Sequence, residues 1–254
     1  MWSFYDELYI GIPSGIRVEG CVVGRLWTTV RAGGNIGVAR TLGDTGGDRN
    51  ALGQSMIGAH LRDVANVLRW DSLIRAAIGV AALNAFYNTA ERVEAMSAPP
   101  AFQDELDGRK VAVIGELPKL EAGLKEKNCD LTAALPLPES GDLGDAYDAA
   151  MKSDFVFISG DALTNRTLPA LLKKAGAGTR VTLAGVSVPA APVLFAFGTP
   201  LHNLSGVYAR FDTTVEAAAR LDLPDLAPGT LPFSVNPVTP VKVHERAAAA
   251  RSVF

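Results

Sequence analysis

Soft metal ligands are scarce in this sequence: its 254 residues include two cysteines and three histidines. Cys21 and Cys129 are too few and too far apart for a disulfide framework, and both read as buried, reduced thiols inside strands. His60, His202 and His244 stand singly, without the CxxC, HxxxH or HxE spacings that gather ligands round a metal. Basic stretches are lacking too. With 24 Lys and Arg against 27 Asp and Glu, the formal net charge of −3 lacks the positive footprint of a nucleic-acid binder. No secretory leader is read at the N-terminus, because Asp6 and Glu7 fall where its apolar core would start. Residues 181–209 carry no Asp, Glu, Lys or Arg, yet Pro189, Pro192 and Pro200 would break a membrane helix repeatedly. A cytoplasmic location without membrane contact is the expectation. Catalytic signatures are missing as well, with no Gly-x-Ser-x-Gly elbow and no Walker loop.

What is present is an ordinary globular composition, 48% hydrophobic and 20% charged. Its patterning changes character once. The spacing predicts a short helix over 3–9, a strand over 17–31, a tight turn at Gly33-Gly34-Asn35 and a returning antiparallel strand over 36–42. A polar, Gly-rich stretch over 43–53 reads as a loop. Apolar residues at helical spacing predict helices over 59–69 and 73–87, the second capped by Asp71 or Ser72. That second helix is apolar nearly all round, so Asn84 within it must be a buried polar side chain with partners to find.

Ser97-Ala98-Pro99-Pro100 is the clearest linker, and beyond it strands alternate with helices. Strands are expected over 110–115, 130–135, 154–159, 180–184 and 206–209. Helices are expected over 117–127, 143–151 and 213–221, with another running from a Thr164 or Asn165 cap to Lys174 and a short element over 193–197. From Pro224 onward periodicity is lost and an extended arm is expected. The fold class is therefore α/β: an α+β domain over 1–98, a Rossmann-like parallel sheet over 99–225 and a tail over 226–254.

An open parallel sheet binds its ligand beyond the carboxyl ends of the strands. Four loops lie there: Gly115-Glu116-Leu117-Pro118, Pro136-Leu137-Pro138, the residues from Ser159 to Asn165, and those from Gly185 to Pro189. The first lacks the three-glycine dinucleotide fingerprint. Glu116 would also repel a pyrophosphate, so NAD is not expected. In the third, Asp161 precedes a predicted helix start at Thr164 and Asn165, where free N–H groups could hold an anion. The plainer reading is that Thr164 and Asn165 cap the helix. Glu116 and Asp161 offer hard oxygen donors for a cation.

Several stretches then point to a family. Leu26-Trp27-Thr28-Thr29-Val30-Arg31, Gly37-Val38-Ala39-Arg40-Thr41 and the run from Ile78 to Asn88 resemble the N-terminal domain of the putative heavy-metal chelation family of prokaryotes. Val111-Ala112-Val113-Ile114-Gly115 with Pro118, the run from Ile158 to Pro169, Gly185 with Ser187 and Pro189, and Pro192-Val193-Leu194-Phe195 resemble its C-terminal domain. The resemblance implies an enolase-N-terminal-like domain joined to a Rossmann-like one, with the site in the cleft between them. It does not imply enolase chemistry, because the barrel that carries enolase's catalytic groups is absent. Relatives often carry an aromatic or His-containing stretch after the first glycine. Glu116-Leu117-Pro118-Lys119 stands there in this chain, which speaks against direct metal ligation by that loop.

The expectation is thus a protein that binds a small anionic ligand, a metal complex or a divalent or heavy metal ion. Asn84, Gly115, Glu116, Asp161, Thr164, Asn165 and Ser187 are its candidate site residues, and Glu116 and Asp161 its candidate metal ligands. Two other readings stay open. One is an enzyme acting on an anionic or pterin-like substrate, with Glu116 or Asp161 as general base. The other is a homodimeric assembly protein that pairs through 181–209 and the Pro-rich tail.

Overall fold

The computed structural model describes residues 2–43, 47–98, 102, 105–135, 143–196 and 200–237. The first half opens with helix α1 (Trp2–Ile10), followed by strands β1 (Val18–Val23), β2 (Trp27–Ala32) and β3 (Asn35–Arg40). These strands form an antiparallel sheet in the order β1-β2-β3. The single strand expected over 17–31 is thus two. The chain reverses at Gly24, where a Cβ would lie 2.1 Å from the Ala219 carbonyl oxygen. The predicted Gly33-Gly34 turn forms, with φ of 59° and 76°. Positive φ at both positions is the type I′ geometry that suits the strand twist.

Next come α2 (Arg49–Gln54), α3 (Leu61–Asn66), a 3-10 turn over Val67–Arg69, α4 (Leu73–Tyr87) and α5 (Ala90–Ala95). Helix α2 occupies part of the stretch expected to be loop. Asp48 caps it by accepting from the Asn50 and Ala51 amides at 2.8 and 3.1 Å. Residues 44–46 of that stretch lie outside the described residues. Ser72, not Asp71, caps α4. Helix α5, capped by Thr89, had no clear apolar periodicity to announce it.

Helix α4 lies across the first sheet at close range. A Cβ on Gly37, midway along β3, would sit 2.1 Å from both the Ala81 carbonyl oxygen and the Ala85 nitrogen. Only a glycine lets strand and helix backbones touch there.

The second half contains β4 (Lys110–Ile114), α6 (Pro118–Lys125), β5 (Asp130–Ala134), α7 (Gly144–Lys152), β6 (Phe155–Ser159), α8 (Asp161–Thr164), α9 (Leu168–Lys174), β7 (Arg180–Ala184), β8 (Leu201–Ala209), α10 (Asp212–Arg220) and β9 (Thr230–Val235). The sheet order is β5-β4-β6-β7-β8-β9. The first five strands are parallel and β9 pairs antiparallel with β8. This is the α/β, Rossmann-like half expected from the alternating pattern. The run expected as an extended arm therefore contains an edge strand. Pro232 is tolerated in β9 because an edge strand has one unpaired side. The end of the expected arm, 238–254, lies outside the described residues, as do Pro99 and Pro100 of the expected linker. Ser97 of that linker pairs with Val235.

Two other expectations are corrected. The helix expected from a Thr164 or Asn165 cap to Lys174 starts later, at Leu168, because Arg166 takes φ 64°, and the residues before it form the separate one-turn α8. Cys129 lies just before β5 rather than within it.

The two faces of the larger sheet are covered unequally. Ala112, Ile114, Val156, Ile158, Val181 and Leu183 share one buried cluster with α7, α9 and residues of the first half. Val111, Val113, Phe155 and Phe157 face the other way, where Leu117 and Leu124 of the α6 region cover them. Toward β8 and β9 the neighbours are α5, which contacts β9, and α10, whose Val215 and Ala218 share a cluster with Val207 and Ala209 of β8. Helix α10 also returns to the first sheet, where Val215 and Ala218 pack on Val38.

Gly37→Ala is expected to lower unfolding free energy in urea by about 4 kcal/mol or more, since neither backbone can yield cheaply. A loss under about 1 kcal/mol would show that α4 can shift off β3. Burial pushes the Cys21 thiol up to about 12, whereas Cys129 is partly exposed. Thiol titration of the native chain should therefore count Cys129 as the fast-reacting group, with Cys21 joining only after denaturation. Two fast thiols in the folded chain would overturn that assignment.

Candidate functional site

Strand order reverses direction between β4 and β6, so the loops after these strands diverge and leave a crevice. Two glycines shape it. Gly115 ends β4 at φ 91°, and a Cβ there would sit 2.6 Å from the Ser159 Cβ. Gly185 ends β7 at φ 111°, with room for only a 3.3 Å approach to Leu117. Both turns need a residue that accepts positive φ. They set Glu116, Asp161 and Ser187 side by side.

Arg40, the last residue of β3, reaches into this edge from the other sheet. Its Nη2 lies 2.5 Å from Glu116 Oε2 and its Nη1 3.1 Å from Asp161 Oδ2. Ser187 Oγ donates to Asp161 Oδ1 at 3.0 Å and accepts the Arg40 backbone N–H at 3.0 Å. One guanidinium thus stands between two carboxylates, and the trio carries a net charge of −1. Asp161 keeps only 15% of its side chain exposed, Glu116 57%. Burial pushes the Asp161 carboxyl above its usual range, and Glu116 adds to the rise. Arg40 and Ser187 pull it down without cancelling the effect. Burial works against the charge on Arg40, but the two carboxylates outweigh it and hold the guanidinium protonated more firmly than usual.

Asn84 lies beneath this layer. Its Nδ2 donates to the Val38 carbonyl at 2.7 Å and the Val186 carbonyl at 3.3 Å, while its buried Oδ1 has no hydrogen-bond partner. One turn on, Asn88 Nδ2 donates to the Val188 and Val207 carbonyls at 2.8 and 3.0 Å. Asn88 Oδ1 accepts the Ala190 N–H at 2.7 Å. The two asparagines hold the loop that carries Ser187.

Gly115, Glu116, Asp161 and Ser187 are therefore brought together, with Asn84 supporting them from below. Thr164 is fully buried with an unpartnered hydroxyl, and Asn165 accepts from the Thr167 N–H and hydroxyl at 3.1 and 2.7 Å. Neither lines the crevice. The Pro136-Leu137-Pro138 loop lies outside the described residues. Arg40 is the residue that loop reasoning missed. Its one sequence signal was a cation closing an otherwise apolar strand.

From the carboxylates the crevice widens into a groove of about 1250 Å³ lined by residues of β7, β8 and β9. Trp27, Leu117, Phe157, Thr182, Tyr208 and Phe233 are among its lining residues. Heavy metals prefer thiolate and imidazole donors. Cys21 is in β1, Cys129 precedes β5, His60 bridges to Arg17, and exposed His202 contacts the Pro200 carbonyl. His244 lies outside the described residues. Among the described residues no three His, Cys, Asp or Glu side chains are grouped to hold a metal. The site supplies two oxygen donors already engaged by Arg40, a poor fit to a bare heavy metal ion. No helix of the described chain is long and apolar enough to cross a membrane.

Two family profiles, both described as putative heavy-metal chelation, match residues 5–87 and 99–219. A crystal structure of a protein with unknown function from the DUF364 family of Desulfitobacterium hafniense DCB-2 is similar over 92% of this chain and 97% of that one. The TM-score is 0.82 and the identity 29%. A second DUF364 protein of unknown function, from Pyrococcus horikoshii, shares the fold, with a TM-score of 0.71 and 19% identity over 92% of this chain and 98% of that one. No curated protein matches.

The raised pKa of Asp161 has a definite sign. The folded state holds this proton more tightly than the unfolded chain, so the group's contribution to stability is fully present below its ordinary value of 3.8. That contribution is lost as pH rises through the higher folded value. Asp161→Asn should flatten this part of the stability curve, measured by urea unfolding between about pH 3 and 7. An unchanged slope would mean that Arg40 and Ser187 cancel the effect of burial, and a slope changed in the opposite sense that they outweigh it.

Proposed function

The chain belongs to the putative heavy-metal chelation family, and from that premise we propose that it binds a metal-bearing ligand at the carboxyl edge of the parallel sheet. Glu116 and Asp161 face the positive end of that ligand. Arg40 is the counter-ion that the ligand displaces. The observation that carries this reading is the guanidinium set between two carboxylates, in a trio of net charge −1. A site already built round one cation is electrostatically suited to exchange it for another. A purely anionic guest would meet Glu116 and Asp161 first. It suits the geometry less well, although Arg40 could turn to greet it.

The placement of the trio supports the same reading. Its members come from two sheets, so a guest seated there touches both halves of the chain. Glu116 is mostly exposed and can move, while Asp161 is fixed by Ser187. One mobile and one fixed carboxylate allow Arg40 to be released without unpacking the core.

Elemental analysis of chain purified without chelator, by plasma mass spectrometry, tests this. Metal should accompany the unaltered protein, and the Glu116→Gln, Asp161→Asn double variant should retain about tenfold less. Equal metal in both would remove these residues from the site.

A further inference from the structure

The groove is much larger than an ion needs. Its volume of about 1250 Å³ exceeds the roughly 300–1,000 Å³ of ordinary organic-ligand pockets. Its lining is mostly apolar beyond the charged trio, with Trp27, Leu117, Phe157 and Phe233 contributing to it. The protein donors fall short of a heavy metal's coordination shell, and the space exceeds it. Both departures have one remedy, a guest that brings its own ligands.

A second observation lies on the groove floor. Thr182 is in the middle of β7, flanked in register by Phe157 on β6 and Asn203 on β8. It is 1% exposed, and its hydroxyl has no hydrogen-bond partner. Its polar neighbours are satisfied among themselves. Asn203 Nδ2 donates to Ser234 Oγ and Asn236 Oδ1, each at 2.8 Å, and Ser205 Oγ donates to Asn203 Oδ1 at 2.6 Å. A buried hydroxyl left unpaired destabilises a fold, and valine would fill the same space without that cost. The hydroxyl is wasted on the folded chain alone. It is well placed for a polar atom on a guest lying over the sheet.

We infer that the guest is a metal already wrapped in an organic, largely flat chelator. The metal end lies at Glu116 and Asp161, the apolar body rests over the face of β7–β9, and one polar substituent pairs with Thr182. This rests on the reading above that the groove takes a metal-bearing ligand, and it adds what surrounds the metal.

The test titrates the full chain with nickel(II) alone, with its plain phenanthroline complex and with its hydroxyl-substituted phenanthroline complex, read by calorimetry and by fluorescence of Trp27. Both complexes should bind at least about tenfold more tightly than nickel(II), the hydroxylated one best. Thr182→Val should raise Tm by about 2–4 °C yet erase the advantage of the hydroxylated complex, and Thr182→Ser should keep it. Nickel(II) binding as tightly as the complexes overturns the inference. If Glu116→Gln then abolishes that binding, the site at the sheet edge still stands. Complexes that bind without responding to Thr182→Val also overturn it. If neither ion nor complex binds, both readings fall.

Discussion

Two asparagines one turn apart on α4, a helix otherwise almost wholly apolar, hold the sheet edge in place. Asn84 and Asn88 reach sideways to the carbonyls of Val38, Val186, Val188 and Val207, and Asn88 also accepts from the Ala190 amide. Buried amides are expensive unless paired, so these contacts are strongly directional constraints. They fix the loop after β7 against the first sheet. Ser187 rides on that loop and orients both Asp161 and the backbone of Arg40. The ionic trio inherits its geometry in part from the helix packed against the elements that carry it. Gly37 completes the arrangement by letting β3 lie directly on α4, which sets how far Arg40 can reach.

The charge balance of the edge follows from this frame. Asp161 is buried enough to resist ionisation, and Arg40 is the group that makes its charge tolerable. A buried carboxylate with one cationic partner gives little net stability, because desolvation offsets most of the attraction. In the reading proposed above its value is selectivity: the edge sorts guests by sign and the groove beyond it by size and shape.

Much of this was legible in the sequence, for local reasons. The alternating strands and helices, Gly115 ending a buried strand, and the acids and serine of the following loops all follow from short-range pattern, and the structure gathers Glu116, Asp161 and Ser187 as that pattern implied. Asn84 was readable as a polar group that an apolar helix must satisfy. What was not legible depends on distant chain. Arg40 meets Asp161 across 121 residues, and no local spacing encodes that pairing. Strand alternation puts Thr182 on one face of β7, but does not say which side chains of distant elements will border it. The turn at Gly24 lies so close to the Ala219 carbonyl that it has no room for a side chain, and Asp48 caps a short helix inside a stretch whose glycines suggested none. The proline-bearing β9 forms because β8 offers an edge.

Helix α10 has a consequence for how the chain is made. It packs on the outer face of the first sheet, where Val215 and Ala218 meet Val38, yet the sheet ends at Arg40 and α10 begins only at Asp212. At about 5–20 residues per second, the ribosome takes roughly 9–36 s between completing β3 and completing α10. For that interval one face of β1–β3 has no permanent shelter. The nascent chain therefore passes through an interval in which this face of its early sheet lacks its final cover, and any pause in translation before α10 emerges lengthens it.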